Sequence, residues 1–277
     1  MMADGLIVGK IGSMALIDRE NNDIDYNKFA RICRELRPGM IWITSGAAEI
    51  GRLDIIKRTG HDLACALEDA KTDYAAQGQT ILMEKYRGFI DSRYGVRQVL
   101  VEHQHFNDTI KREHIRGLLT RAAAQDSIPI INYNDAVSYE EIRKLEIQSL
   151  RSAGTKAVEL VDNDETAAQI ACLMRAEMLL ILTVAEGIYL DPERSETLIP
   201  EITGETPEEV IKKIEEYKKS CVGASRAGAG GARAKLEFVK EPVLNGTKVI
   251  IASAKYGINS ILSGNAPCTR IGVRKLS

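Results

Sequence analysis

The sequence predicts an α/β fold with a central, mainly parallel sheet. Short apolar runs that are typical of buried strands alternate with amphipathic segments along the 277 residues. Several of these runs lead directly into loops with glycine, hydroxyl or carboxylate residues, as strands do at the ligand-binding edge of a doubly wound sheet. A hydrophobic content of 44% suffices for the core of one large domain or of two joined ones.

Composition excludes several functional classes. The formal net charge of −2 gives no indication of the excess positive charge that is typical of nucleic-acid-binding proteins. No apolar run approaches the ~20 residues of a membrane span, and no charged-then-apolar signal precedes the first strand. We therefore expect a cytoplasmic chain with no nucleic-acid or membrane partner. The five cysteines are scattered, and the histidines at 103 and 105 have no further ligands nearby, so we expect reduced thiols and no metal site built from side chains.

The first strand places a lysine at the edge of the sheet. Residues 6–8 predict a buried strand that breaks into a glycine turn at 9–13, with Lys10 at its carboxyl end. The spacing is one residue short of a Walker A loop, and no Ser or Thr follows the lysine. An amphipathic helix at 27–36 then leads to a second strand at 40–43.

The second strand runs directly into Thr44, Ser45, Gly46 and Ala47. A strand–helix–strand unit implies a right-handed parallel crossover, so we expect Lys10 and Ser45 at the same edge of the sheet. Ser45 lacks the G-x-S-x-G pattern of a serine nucleophile. A hydroxyl with adjacent N–H groups that hold a ligand carboxylate is the better interpretation.

The middle of the chain adds two further strands. The pattern predicts helical cover at 53–95, a strand at 96–101, a helix around 110–119 and a strand at 128–131. The last strand opens into a polar loop that contains Asp135. Turn formation alone explains such a loop, yet it also lies on the edge that holds Lys10 and Ser45.

A charged excursion at 138–159, partly helical, precedes a helix that begins at Asp162. Asp162 and Glu165 fit a capping box, so capping of the helix is a sufficient explanation for these two carboxylates. Asn163 and Asp164 are not explained in that way. A carboxylate in the first turn, facing a lysine-lined phosphate site, could orient cationic side chains and hold a substrate amine or a metal.

The C-terminal part continues the alternation. A strongly apolar strand at 178–182 leads into a loop with Thr183, Val184, Gly187 and Tyr189, and a helix at 207–219 and a strand at 248–252 follow. Between these last two elements, a glycine-rich run at 228–235 (GAGGARAK) ends in Lys235. Glycines let backbone N–H groups approach a phosphate, and the lysine adds a mobile positive charge. An ordinary surface loop is the alternative for this run taken alone.

Six stretches in order resemble the amino acid kinase family, and within it the glutamate 5-kinases: residues 10–13, 44–47, 131–137, 162–164, 187–192 and 230–235. The resemblance spans nearly the whole chain. It implies a three-layer αβα sandwich with a substrate lobe at about 1–165 and a nucleotide lobe at about 166–277. It also implies a homo-oligomer that uses ATP and Mg²⁺ to phosphorylate the side-chain carboxylate of a small amino acid, glutamate by default, to an acyl phosphate in proline biosynthesis.

The same resemblance implies roles for individual residues. Lys10 and Lys235 would flank the transferred phosphoryl group, and Asp164 would hold both lysines. The amino acid would be bound by Ser45, Gly46, Ala47, Asp135 and Asn163. The nucleotide would be bound by the two lysines and by Gly12, Ser13, Thr183, Val184, Gly187, Tyr189, Ala229, Gly230, Gly231 and Ala232. Phosphoryl transfer depends on positioning and electrostatic stabilisation, and a carboxylate nucleophile is already ionised at neutral pH, so no general base is required.

The sequence also departs from the glutamate 5-kinase pattern. Tyr133 stands where an acidic residue is usual, and Val184 stands where an aspartate is usual. Alanines and Arg233 replace the threonines and methionine of the glycine loop; Arg233 could meet a more anionic substrate or face solvent. Asn163 follows Asp135 by 28 positions, a longer connection than is usual, so we expect the excursion over the substrate. We expect no segment like the C-terminal PUA domain of many bacterial relatives, and this expectation argues against ordinary feedback control of the proline pathway.

Two classes of function remain open at this stage. The first is a kinase for a small carboxylic acid, with a phosphate or phosphonate acceptor as a variant; the loop at 44–47 resembles the carboxylate kinases. The second is a non-catalytic nucleotide-binding or storage paralogue. Val184 and the altered glycine loop favour the second class, whereas the presence of Lys10, Asp164 and Lys235 opposes it.

Overall fold

The computed structural model describes residues 5–138, 140–152, 154, 157–160, 162–221 and 231–274, with the backbone alone at 140–142. The strands are β1 (Ile7–Ile11), β2 (Ile17–Asp18), β3 (Asp23–Ile24), β4 (Met40–Ile43), β5 (Gly95–Val101), β6 (Ser127–Tyr133), β7 (Met178–Thr183), β8 (Ile188–Tyr189), β9 (Leu198–Ile199), β10 (Glu201–Gly204), β11 (Lys248–Ser253) and β12 (Cys268–Val273). The α-helices are α1 (Tyr26–Cys33), α2 (Ala47–Thr59), α3 (Leu67–Phe89), α4 (Gln104–Asn107), α5 (Thr109–Ala124), α6 (Glu140–Ser152), α7 (Asn163–Met174), α8 (Pro207–Ser220), α9 (Ala232–Phe238), α10 (Lys240–Leu244) and α11 (Ile258–Leu262).

The chain divides into two compact units. Unit 1 comprises Met1–Ile11, Gly39–Ile41 and Asp164–Ser277, and unit 2 comprises Gly12–Pro38 and Trp42–Asn163. The expected division into a substrate lobe and a nucleotide lobe near residue 165 remains a prediction.

Unit 1 is built on a mainly parallel sheet in the order β10, β12, β11, β7, β1. Strand β7 pairs in parallel with both β1 and β11, whereas β12 runs antiparallel to β11. The run Leu179, Leu180, Ile181, Leu182 is at most 1% exposed. Such a continuous apolar run is typical of a central strand covered on both faces. Helices α8, α9 and α10 pack against one another, and α8 and α10 also contact the sheet of this unit.

Unit 2 contains the parallel pairs β4–β6 and β5–β6. Its core includes Phe29, Trp42 and Tyr86, each 1% exposed, and the rings of Phe29 and Tyr86 lie 4.7 Å apart between centroids. Helices α2 and α3 approach closely where Gly51 faces Gly78. A Cβ added at Gly78 would lie 1.8 Å from the carbonyl oxygen of Ala47, so only glycine fits there.

The predicted α/β class with a mainly parallel sheet is confirmed. The first strand differs from the prediction, because β1 continues through Gly9 and Lys10 to Ile11 instead of ending in a glycine turn. Gly9 pairs in register with Leu180, and this pairing keeps the backbone extended. The sequence pattern does not predict β10 and β12, since their apolar residues are interrupted by polar ones. Within the described residues, no helix is long and apolar enough to cross a membrane.

Candidate functional site

Two lysines from distant parts of the sequence converge on one carboxylate in unit 1. The Lys10 Nζ lies 2.7 Å from Asp164 Oδ1, and the Lys235 Nζ lies 3.1 Å from Asp164 Oδ2. The three side chains are only 9%, 13% and 3% exposed, for Lys10, Lys235 and Asp164 respectively. Buried charges at these positions require close partners, because each has lost most of its hydration. The cluster holds two positive charges against one negative charge and so favours an added anion.

The carboxylate at the centre of the cluster remains ionised at neutral pH. Burial raises the pKa of Asp164, but the ammonium groups of Lys10 and Lys235 lower it by more, so its net pKa lies below the ordinary value. Asp164 therefore acts as a fixed negative charge that keeps both lysines in place.

Regular elements position all three members of the cluster. Lys10 lies in β1 opposite Ile181, and Asp164 lies in the first turn of α7. Lys235 lies in α9, where its backbone N–H donates to the carbonyl of Gly231 at 3.1 Å. The rest of α9 is fixed by buried Leu236 and by ion pairs of neighbouring charged residues.

The end of α8 is joined to α9 by the arginine whose role the sequence left open. Arg233 is exposed, and its Nη2 donates to the carbonyl oxygen of Cys221 at 3.0 Å. Arg233 therefore faces solvent, and its hydrogen bond links Cys221, the residue after α8, to α9. Of the predicted nucleotide-binding residues, Ala229 and Gly230 lie outside the described residues, whereas Gly231 and Ala232 form the start of α9.

The other predicted nucleotide-binding residues of unit 1 lie in the segment from the end of β7 to β8. Thr183 closes β7, and Val184 is 63% exposed while its carbonyl accepts from Ser253 Oγ at 2.9 Å. Gly187 is buried, and a Cβ at this position would lie 2.5 Å from the hydroxyl oxygen of Thr269. This contact explains why a glycine stands there.

The same segment contains a carboxylate that no sequence motif marks. Glu186 accepts from the hydroxyls of Tyr189 at 3.3 Å and Tyr256 at 2.9 Å, and it pairs with Lys255. The hydrogen bond from Lys255 is the largest of the effects that lower the pKa of Glu186. Glu186 thereby links Tyr189 in β8 to Tyr256, which follows β11. No motif marks Glu186, because its role depends on Tyr256 from a distant part of the chain.

In unit 2, a buried hydrogen-bond chain fixes the loop after β4. Trp42 Nε1 donates to Tyr86 Oη at 3.1 Å, Tyr86 donates to Thr44 Oγ1 at 2.8 Å, and Thr44 donates to the carbonyl of Ser45 at 3.1 Å. Gly46 follows with a φ of 99°, a left-handed conformation that favours glycine, and caps the start of α2 at Ala47.

The predicted phosphate-lining residues of unit 2 lie close to this loop. Gly12 precedes a short 3₁₀ turn, Ser13–Ala15, in which Ala15 donates to the Gly12 carbonyl at 3.0 Å. A Cβ built on Gly46 would lie 3.6 Å from the Cα of Ser13. The two glycine-bearing loops therefore lie in van der Waals proximity.

A second polar chain in unit 2 holds Asn163. Its Nδ2 donates to Asn132 Oδ1 at 3.0 Å, and its Oδ1 accepts from the backbone N–H of Tyr133 at 3.2 Å. Asn132 is itself buried and donates to Gln79 Oε1 at 2.8 Å. The Nδ2 group of Asn163 has a second hydrogen, which is not used in the bond to Asn132. Tyr133 is buried and bonds to Ser138 through its hydroxyl.

The electrostatic surroundings of Asp135 distinguish it from the other carboxylates of unit 2. Asp135 is exposed, yet desolvation by the surrounding protein, together with the Glu49 carboxylate, raises the pKa of this residue to about 6. The guanidinium of Arg143 opposes this shift. Arg143 belongs to α6, in the excursion, and the sequence analysis did not single it out.

The comparison with a family model assigns the chain. The model described as the amino acid kinase family matches residues 5–253. The chain belongs to the amino acid kinase family.

Curated relatives narrow the similarity within this family. A glutamate 5-kinase of Gloeobacter violaceus (strain ATCC 29082 / PCC 7421) is 30% identical over 97% of the chain and 69% of the relative. A glutamate 5-kinase of Streptococcus suis (strain 05ZYH33) is 28% identical over 92% of the chain and 66% of the relative. The chain thus spans about two thirds of the length of these relatives. Among solved structures, the carbamate kinase from Giardia lamblia bound to AMP-PNP has a TM-score of 0.60 at 14% identity, covering 99% of this chain and all (100%) of that one. This likeness supports the amino acid kinase fold.

A cavity of about 540 Å³ in unit 1 contains none of the predicted site residues. It is lined by residues of β10, α8 and the C-terminal segment, including Thr203, Lys213 and Arg274. For an amino acid kinase, the chemistry of phosphoryl transfer points to the lysine cluster instead, because this cavity offers no comparable buried pair of cations.

Proposed function

We propose that the protein is an ATP-dependent kinase that phosphorylates the side-chain carboxylate of a small amino acid, glutamate by default. The observation that carries the proposal is the buried cluster in which Asp164 holds Lys10 and Lys235 at 2.7 and 3.1 Å. Two fixed ammonium groups stabilise the charge that develops on a transferred phosphoryl group, and their positions do not have to reorganise during the reaction.

The reaction needs no general base from the protein. The acceptor carboxylate is ionised at neutral pH, and one of its oxygens forms a bond to the γ-phosphorus while the bond from that phosphorus to the β,γ-bridging oxygen breaks. Lys10 and Lys235 would contact the oxygens of the phosphoryl group before and after transfer. The products are ADP and an acyl phosphate.

Binding of the acceptor is assigned to unit 2. The hydroxyl of Ser45 and the N–H groups at the start of α2 are donors suited to a carboxylate, and Asp135 is an acceptor suited to an ammonium group. Asn163 would add one amide hydrogen. The glutamate 5-kinase relatives support glutamate as the first acceptor to test.

The residues of the cluster fit a nucleotide phosphate accompanied by Mg²⁺. Magnesium usually takes its ligands from phosphates, waters and one or two carboxylates. In the part of the chain that the structure describes, no group of three or more His, Cys, Asp or Glu residues converges as a metal cage. When bound, Mg²⁺ would add charge neutralisation on the phosphates that the lysines contact.

The experiment measures ADP release from Mg²⁺–ATP with a panel of amino acids and short carboxylic acids. Hydroxylamine converts an acyl phosphate to a hydroxamate, so carboxyl phosphorylation gives both ADP and a hydroxamate. We expect both products with L-glutamate. ADP release with a phosphate or phosphonate acceptor, and no hydroxamate, would instead assign the variant reaction. Nucleotide binding without ADP release over the whole panel would reject the kinase and favour a non-catalytic nucleotide-binding protein.

A further inference from the structure

The helix of the excursion packs against unit 2 through a definite face. Ile147 in α6 is 5% exposed, and Glu146 bonds to the buried His103 with 2.9 Å between Oε2 and Nε2. Farther along, Asn107 exchanges two hydrogen bonds of 2.8 Å with the backbone of Val158. Arg143 lies one turn before Ile147, and residues four apart share one face of a helix. The excursion is therefore anchored, and Arg143 points toward the body of unit 2.

Within the described residues, one hydrogen bond engages the guanidinium of Arg143. Its Nη1 donates to the carbonyl oxygen of Leu160 at 2.9 Å. Leu160 is fully buried with a φ of 52°, which is unusual for a residue with a side chain, and the arginine helps to fix this turn. Arginine has five N–H donors. Among the described residues, no carboxylate lies within 4.0 Å of the Arg143 guanidinium, although the side chain is half-buried.

Arg143 and the nearby Asp135 carry charges opposite to those of the carboxylate and the ammonium group of an amino acid. Burial raises the pKa of Asp135, in the loop after β6, and of Tyr133, the last residue of β6, and the positive charge of Arg143 opposes both rises. The loop after β4 also borders β6, because the backbone N–H of Thr44 donates to the carbonyl of Ile131 at 2.8 Å. One unit thus offers an arginine for an anion and the Asp135 carboxylate for a cation. A zwitterionic α-amino acid carries both charges on adjacent groups.

We infer that Arg143 binds the non-reacting α-carboxylate of the substrate while Asp135 binds its ammonium group. Arg143 is then a specificity-determining residue that selects α-amino dicarboxylic acids over acids that lack the second carboxylate. This inference rests on the proposed function. It assigns a reason to the excursion, whose helix brings a planar, bidentate cation to the loop after β6.

The test removes one partner of the contact from the protein and the other from the ligand. In the protein, Arg143→Met keeps the apolar stem and removes the charge. In the ligand, 4-aminobutanoate is glutamate without its α-carboxylate. Initial rates and isothermal titration are measured for both compounds with the wild type, Arg143→Met and Arg143→Lys. Arg151→Gln is the matched control, because Arg151 lies on the same helix, is exposed and pairs with Glu159.

We expect Arg143→Met to raise KM and Kd for glutamate by about 10- to 100-fold and to leave those for 4-aminobutanoate unchanged. Arg143→Lys should lie between the two, and Arg151→Gln should match the wild type. KM for ATP and the melting temperature should stay close to wild-type values in all variants.

Three outcomes would overturn the inference. A glutamate Kd within about threefold of wild type in Arg143→Met would show that the arginine is not a ligand contact. An equal loss for glutamate and 4-aminobutanoate would indicate that Arg143 only supports the turn at Leu160. A wild-type protein that neither binds glutamate nor phosphorylates any acid would reject the proposed function together with this inference, whereas the first two outcomes leave that function intact.

Discussion

The charged groups of unit 1 and unit 2 are organised in opposite ways. In unit 1, the carboxylate of Asp164 lies within 3.1 Å of both lysine ammonium groups. In unit 2, within the described residues, neither Asp135 nor Arg143 has an ion-pair partner at comparable distance. The internal ion pairs of the first arrangement keep its geometry fixed. The second has no such internal pair among the described residues, and the proposed ligand would supply both opposite charges.

This difference separates two tasks of a kinase. Stabilising a transferred phosphoryl group requires charges whose positions do not change, and mutual pairing provides that rigidity. Selecting an acceptor requires groups that are poorly satisfied until the correct ligand arrives, because a wrong ligand then leaves them unpaired. Changes in the lysine cluster should therefore act mainly on kcat and on ATP, and changes at Asp135 and Arg143 mainly on the KM of the acid.

The largest effect is expected for Lys235→Met. The substitution removes one of the two cations, while Asp164 keeps Lys10 at 2.7 Å, so the cluster retains one ion pair. We expect kcat to fall by about 10³-fold, measured as ADP release with saturating glutamate and ATP. Lys71→Met is the control, because Lys71 is an exposed lysine of α3 that pairs with the exposed Glu68, and its loss should leave kcat unchanged. A kcat for Lys235→Met within about tenfold of wild type would contradict a role in phosphoryl transfer.

The lysine cluster and the helical part of the excursion were predictable from sequence, whereas the contacts of the excursion were not. Lys10, Asp164 and Lys235 stand in ordered motifs, near the end of a strand and near the starts of two helices, and parallel-sheet topology brings such positions together. Arg143 and Glu186 carry no motif. Their surroundings depend on which distant side chains pack beside them, and strand and helix periodicity contains no such information. Single residues whose partners are distant in sequence, such as these two, are therefore not predictable from the pattern.

The second effect tests the close approach of α2 and α3 in unit 2. In Gly78→Ala the new methyl group would lie 1.8 Å from the Ala47 carbonyl oxygen, so the helices must separate at the start of α2. We expect a loss of about 3 kcal/mol in the free energy of unfolding, together with a higher KM for the acid and an unchanged KM for ATP. Denaturant unfolding and initial rates measure these quantities.

Gly88→Ala provides the control for that substitution in the same helix. No atom lies within 4 Å of a Cβ placed there, so alanine should stabilise the protein by about 0.5–1 kcal/mol and leave both KM values unchanged. If the two substitutions had the same effect on the KM of the acid, the packing of α2 on α3 would have no part in acceptor binding.

The third effect is a pH dependence confined to the acceptor. The pKa of Asp135 is raised to about 6, so the carboxyl is ionised above that pH and protonated below it. An ammonium group is attracted only by the ionised form. We therefore expect kcat/KM for glutamate to fall about tenfold for each pH unit below 6. The measurement is a pH–rate profile from pH 5 to 8.

Asp135→Asn and a ligand without an amine separate this cause from others. In Asp135→Asn, kcat/KM for glutamate should be lower at every pH. Its fall below pH 6 should disappear. Glutarate, which is glutamate without its amino group, should show no such fall in the wild type. An unchanged fall with glutarate would mean that another group titrates, and Asp135 would lose its assignment as the ammonium ligand.

The smallest effect is expected for Val184→Asp, which restores the acidic residue that is usual in the glutamate 5-kinases. Val184 is 63% exposed, and its backbone is held by the hydrogen bond from Ser253, so the substitution displaces nothing from the core. A new hydrogen bond to the nucleotide would lower KM for ATP by about two- to tenfold, and KM for the acid should not change. Leu244→Asp is the control, since Leu244 is 51% exposed at the end of α10 and should alter neither value. A lower KM for the acid in Val184→Asp would mean that this loop also serves acceptor binding, and the separation of tasks between the two units would then fail.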